Sequence, residues 1–196
     1  MRKRKIPVLL ILGVSLIALS VALLVGMQIR AQIGAQRAQQ IVADLQERLP
    51  EESAGIPGTY SNPNMPVLAM GELDYVAILE IPAWGLQMPV ADQWTGKTLF
   101  DTPARFYGSA YNHSLVIGGG DYPHQFEFCD KIDLGTTVTV TDMTGARFTY
   151  TVTRVDRSKH AESQWLTDGD YDLTLFCRDR YAMTYIAVRC TFLYGE

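Results

Sequence analysis

An uncharged run of 21 residues, Pro7 to Met27, stands just behind Arg2, Lys3, Arg4 and Lys5. Nearly every residue in it is apolar or small, and about 20 residues of helix cross a hydrocarbon core roughly 30 Å thick. The run therefore reads as a transmembrane anchor, distinct from whatever folds behind it. A cleaved signal peptide has a shorter apolar region and a small-residue cleavage site. Here the run is long and continues into Gln28-Ile29-Arg30, which favours an uncleaved anchor. Basic residues ahead of the span place the N-terminus in the cytoplasm and export the C-terminal part, a single-pass arrangement in the cell membrane.

Charge narrows the partners. The chain holds 17 Lys+Arg against 21 Asp+Glu. Without the four basic residues of the N-terminal cluster the balance is 13 against 21, a net of −8. An acidic exported part speaks against nucleic acid and against anionic polymers as ligands. The cysteines are Cys129, Cys177 and Cys190. An odd number leaves at least one outside any intramolecular disulfide, and spacing does not say which pair, if any, forms. Cys129 and Cys190 read as buried small hydrophobes. No cofactor and no metal site is implied.

Behind the anchor, Ala38, Ile41, Val42, Leu45 and Leu49 recur at spacings of three and four, the pattern of one helical stripe. Residues 28–69 are expected to form a helical stalk and a Pro/Gly-rich linker, with 50–66 spacing the folded part from the membrane. From residue 70 to 196 the pattern is β. Strands are expected at 75–82, 87–90, 114–117, 136–141, 146–155, 172–177 and 182–192. In 146–155, Phe148, Tyr150 and Val152 should point inward and Thr149, Thr151 and Thr153 outward. Thr144-Gly145 suits a hairpin turn. Helical signals are few, at 96–101 and 124–132. Many short strands imply an all-β barrel or sandwich.

Several segments of this β region, in this order, resemble the sortases, cysteine transpeptidases of bacterial cell surfaces. Tyr75 to Pro82 followed by Met88-Pro89-Val90 is similar to the family's opening strands. Thr102 to Ser109 resembles the approach to its histidine. Phe126, Cys129, Ile132 and Gly135 follow its Phe-x-x-Leu-x-x-Leu-x-x-Gly rhythm. Trp165-Leu166 and Leu173-Thr174-Leu175-Phe176-Cys177 resemble the approach to its nucleophile. The resemblance covers about residues 75–190. It implies the sortase eight-stranded β-barrel with short helices.

It also implies three catalytic positions. A sortase cysteine attacks a peptide carbonyl of a sorting signal, a histidine protonates the leaving amine, and an arginine stabilises the substrate or oxyanion. Aligned to the family's Leu-Thr-Leu-x-Thr-Cys, this chain has Cys177 at the threonine and Arg178 at the nucleophile. Gly120 falls at the histidine and Tyr185 at the arginine. All three positions depart from the pattern. The loop between Arg178 and Thr184 is also short for the family.

A one-residue slip would make Cys177 the nucleophile, but within a strand that turns the side chain to the other face unless a bulge restores its aim. His124, four residues past Gly120, is the candidate substitute acid; its alternative role is packing beside Phe126. His113 and His160 read as solvated. Removing a positioned acid–base group costs about 10²- to 10⁴-fold, on the order of 3 to 5 kcal/mol of barrier. The favoured expectation is a catalytically inactive sortase homologue, a pseudoenzyme that binds a sorting-signal peptide or a surface-assembly protein. The alternative is an atypical cysteine transpeptidase working through Cys177 and His124.

Overall fold

The computed structural model describes residues 8–96, 98–160, 162–179 and 181–194. Its first element is one helix, α1 (Val8–Arg48). The half nearer the barrel is rich in good helix formers, and Pro50 stops it. Between Leu12 and Val25 its large apolar side chains are exposed. Arg2 to Lys5 and Pro7, where the expected anchor begins, lie outside the described residues. Among the described residues no helix is long and apolar enough to cross a membrane.

The stripe seen in the sequence is where α1 docks. Val42 and Leu45 are buried against Tyr75 and Ile78, with Ile41 and Leu49 beside them. The last turns of α1 are therefore part of the folded body rather than a free stalk. Burying such a face is the main source of helix stability in a protein.

Ten strands follow: β1 (Ser53–Ala54), β2 (Leu68–Met70), β3 (Leu73–Ile81), β4 (Leu86–Ala91), β5 (Ala104–Tyr107), β6 (Leu115–Gly119), β7 (Thr137–Asp142), β8 (Ala146–Ser158), β9 (Leu173–Arg178) and β10 (Tyr185–Phe192). Two short helices, α2 (Thr98–Asp101) and α3 (Ser163–Thr167), lie between them. Eight strands close a barrel in the order β3-β4-β5-β6-β9-β10-β8-β7, with β7 pairing back onto β3. The pairings β4 to β5 and β6 to β9 are parallel and the other barrel pairings antiparallel. β1 and β2 add to the edges of β8 and β3.

Alternation fills the barrel. Phe148, Tyr150 and Val152 of β8 are buried inside it, and Thr149, Thr151 and Thr153 face outward. Leu79, Val140, Leu175 and Val188 complete the same core from neighbouring strands. The β7–β8 turn is fixed by Asp142, whose Oδ1 accepts the backbone N–H groups of Thr144 (2.8 Å) and Ala146 (3.0 Å). Gly145 there takes φ +79°, a left-handed value that disfavours other residues.

The stretch 50–66 does not act as a spacer. It lies on the barrel: Tyr60 stacks on Tyr111 with centroids 3.7 Å apart, and Met65 is buried in the core. Gly55 sits against the ring of Phe148, which a Cβ would approach to 2.6 Å. These contacts are single and irregularly spaced, so no periodicity announces them.

Candidate functional site

The ends of β6, β9 and β10 run side by side. Gly118 is level with Phe176 and Gly119 with Cys177 on one flank of β9. On the other flank Ile186 is level with Cys177 and Tyr185 with Arg178. Gly120 follows Gly119 just past the end of β6. Of the three positions that the sortase resemblance marks as histidine, nucleophile and arginine, Arg178 and Tyr185 stand level, and Gly120 follows the end of the neighbouring strand.

The faces of β9 separate Cys177 from Arg178. Leu173, Leu175 and Cys177 belong to the barrel core. Phe176 packs outside with Val116, Leu166 and Ala187, and Arg178 is exposed. The register of β9 is unbroken against both neighbours, so no bulge re-aims Cys177. Cys177 is 2 % exposed, and its Sγ donates to the Phe126 carbonyl at 3.7 Å. All three cysteines are free and buried. Burial, and then a hydrogen bond with Cys177, push the Cys129 thiol well above its ordinary range. Burial alone raises Cys190.

On the outer face, the Arg178 guanidinium lies 5.8 Å from the Tyr185 ring centroid and 3.9 Å from the Met183 sulfur. Gly120 is buried beneath its own loop. Its N–H donates to Gln125 Oε1 at 2.6 Å, and its carbonyl accepts the N–H groups of Tyr122 and Phe126. The loop joining β9 to β10, residues 179–184, is held closed by the Asp179 N–H on the Thr184 carbonyl, 2.8 Å.

His124 lies on the loop that follows β6. Its ring stacks on Tyr122 and presses on α1 at Gly34, where a Cβ would come within 2.8 Å of it. Its Nδ1 is buried without a hydrogen-bond partner, and burial lowers its pKa. It lines a cavity of about 970 Å³ between α1 and the barrel, together with Arg37, Asp44, Asp101 and Tyr181. Cys177 faces the core and does not line this cavity.

Two polar anchors escaped the sequence reading. His113 is partly exposed yet anchored: its Nδ1 pairs with Asp172 Oδ1 at 2.6 Å, and Asp172 Oδ2 accepts the Phe192 N–H at 2.6 Å. Arg189 is buried on the outer face. It donates to the Leu166 carbonyl (2.8 Å), to Thr174 Oγ1 (3.0 Å) and to the Trp165 carbonyl. This pins α3 over β9 and β10. An arginine at an outward strand position gives no sign in sequence that a helix will cover it.

Among the described residues the strand ends carry Arg178 and Tyr185, with Cys177 turned into the core. They offer a guanidinium on an aromatic ring, with exposed Tyr181 and Met183 nearby.

The fold is sortase-like. Sortase A of Corynebacterium diphtheriae, a lid mutant, superposes with a TM-score of 0.55 at 20% identity, over 64% of this chain and 74% of that one. The sortase D5 transpeptidase of Clostridium perfringens gives 0.53 at 17%, over 61% and 79%. Clostridium perfringens sortase C with its C-terminal cell wall sorting motif gives 0.54 at 18%, over 64% and 74%. No protein-family model and no curated protein matches the sequence.

Proposed function

We propose that this chain is a single-pass membrane protein whose sortase-like barrel is held outside the cell and works by binding, without transpeptidase chemistry. The observation that carries the reading is the set Gly120, Arg178 and Tyr185 at the ends of three adjoining strands, with Cys177 turned into the core. The set holds no histidine, and a thiol turned into the core is out of reach of a peptide carbonyl at the surface. The anchor is supported by the basic cluster at Arg2 to Lys5 and by the bare apolar surface of α1. The partner is a sorting-signal peptide or a surface-assembly protein, reaching the face that carries Arg178, Tyr181, Met183 and Tyr185. Arginine, tyrosine and methionine are the side chains enriched where interfaces concentrate their energy.

The test uses the full chain in detergent under reducing conditions. It is incubated with a sorting-signal peptide carrying a chloromethyl ketone in place of the scissile carbonyl and read by mass spectrometry. The reading expects no adduct on Cys177 while the protein is folded. Rapid labelling that Cys177→Ala abolishes and His124→Ala slows would instead establish an atypical cysteine transpeptidase.

A further inference from the structure

Two of the three buried cysteines meet. Cys129 lies on the short turn Glu127–Asp130, which packs against β9 and β10. Its backbone N–H donates to the Phe126 carbonyl at 3.0 Å. Cys177 Sγ donates to the same carbonyl at 3.7 Å. One oxygen therefore gathers both residues, and Cys177 is the neighbour that acts most on the Cys129 thiol. Cys190 shares the core, but it neither bonds to the Phe126 carbonyl nor lies on the turn.

We propose that Cys129 and Cys177 form a disulfide under oxidising conditions, joining the 127–130 turn to the end of β9 and leaving Cys190 as the free thiol. Closure needs the two sulfurs to meet at about 2.05 Å, a movement that falls to the short turn carrying Cys129. The bond forms as the chain folds, before the core seals. One thiolate attacks a sulfur of a disulfide oxidant such as oxidised glutathione and releases one thiol. The second thiolate attacks the mixed disulfide and releases the other. The two protein thiol protons end on the two released glutathione thiolates and the two electrons on their sulfurs, so the oxidant leaves as two thiols. In the cell this rests on the exported placement proposed above, because that side supplies the oxidant. The chemistry itself does not depend on that placement.

This pairing gives Cys177 a role that needs no catalysis. It ties the strand end to the loop that buries Gly120. It also explains how three cysteines coexist in an exported protein with only one left over.

The test is peptide mapping of the full chain refolded in a glutathione redox buffer. Free thiols are blocked with iodoacetamide in denaturant before digestion without reductant. The expected result is an intact mass about 2 Da below the reduced protein. It comes with a linked peptide pair containing Cys129 and Cys177, and with alkylated Cys190. Cys190→Ala should keep the link, and Cys129→Ala should leave Cys177 alkylated. Three alkylated cysteines after oxidation, or a link through Cys190, overturns the proposal. Either outcome leaves the binding reading untouched, since that reading is tested on reduced protein.

Discussion

Replacing Arg189 by methionine removes the donors that hold α3 against the barrel while keeping a long apolar stem. Arg189 is 2 % exposed. Its guanidinium reaches the Leu166 carbonyl, Thr174 Oγ1, the Trp165 carbonyl and, at 3.4 Å, Asp156 Oδ2. It also lies 5.3 Å from the ring centroids of both Trp165 and Tyr171. Losing one partner so that a buried acceptor stays unpaired costs about 1–3 kcal/mol per group. Relief from desolvating the guanidinium offsets part of this. Asp156 regains water, being only partly covered. One buried carbonyl, one half-buried carbonyl and one buried hydroxyl then set the loss at about 3 kcal/mol. For a chain of this size 1 kcal/mol moves Tm by about 2–4 °C, so Tm should fall by about 6–12 °C. Hydrogen exchange should rise over residues 163–167 before the barrel strands respond. Arg189→Lys, with one charge but no fork, should lie between the two. A fall below about 2 °C, with unchanged exchange in α3, would refute the account of Arg189 as the pin of the outer face.

Three further outcomes follow from the packing. Leu45→Ala empties a fully buried site between α1, Tyr75 and Ile78, so chemical denaturation should show a loss of about 2–5 kcal/mol; a near-zero change would mean that α1 does not dock on the barrel. Gly119→Ala places a methyl 2.6 Å from the Phe126 ring, and the same assay should show about 1–3 kcal/mol of overpacking. Burial lowers the pKa of His124 in the folded state below its ordinary value near 6.5, so the unfolded chain takes the proton first. Its contribution is complete above about pH 6.5 and lost as pH falls below it. Stability measured from pH 8 to pH 5 should therefore drop more in the wild type than in His124→Phe, and equal pH profiles would contradict the buried neutral ring.

The β pattern was readable because alternation is a local signal. Phe148, Tyr150 and Val152 face inward as their spacing implies, and β3, β4, β6, β7, β8 and β9 fall within a few residues of their expected places. β10 starts at Tyr185 rather than Ala182, because residues 182–184 are used to turn the corner after β9. β1, β2, β5 and α3 are short, and their pairing depends on partners distant in sequence. The segment 50–66 looked like a spacer because its Pro and Gly residues carry no period; its contacts through Tyr60 and Met65 exist only in three dimensions. Gly120, Arg178 and Tyr185 were singled out by the family resemblance, which places residues along strands and says nothing of their contacts. What the sequence left open was the direction of Cys177. A single residue of slip reverses a side chain, and only the unbroken pairing of β9 with β6 and β10 decides which face it takes. His113 looked solvated in sequence because its partner Asp172 is brought to it by tertiary packing, as α3 is brought to Arg189.

The central claim is that Cys177 belongs to the core and not to a reactive site. Its rate of modification by a small thiol reagent, in reduced folded protein with Cys129→Ala and Cys190→Ala as background, measures this directly across a denaturant series. The account predicts that Cys177 reacts only through opening of the fold, so that its rate is strongly suppressed in water and rises with denaturant in step with unfolding. Reaction in water at the rate of an exposed thiol, independent of denaturant, would contradict it.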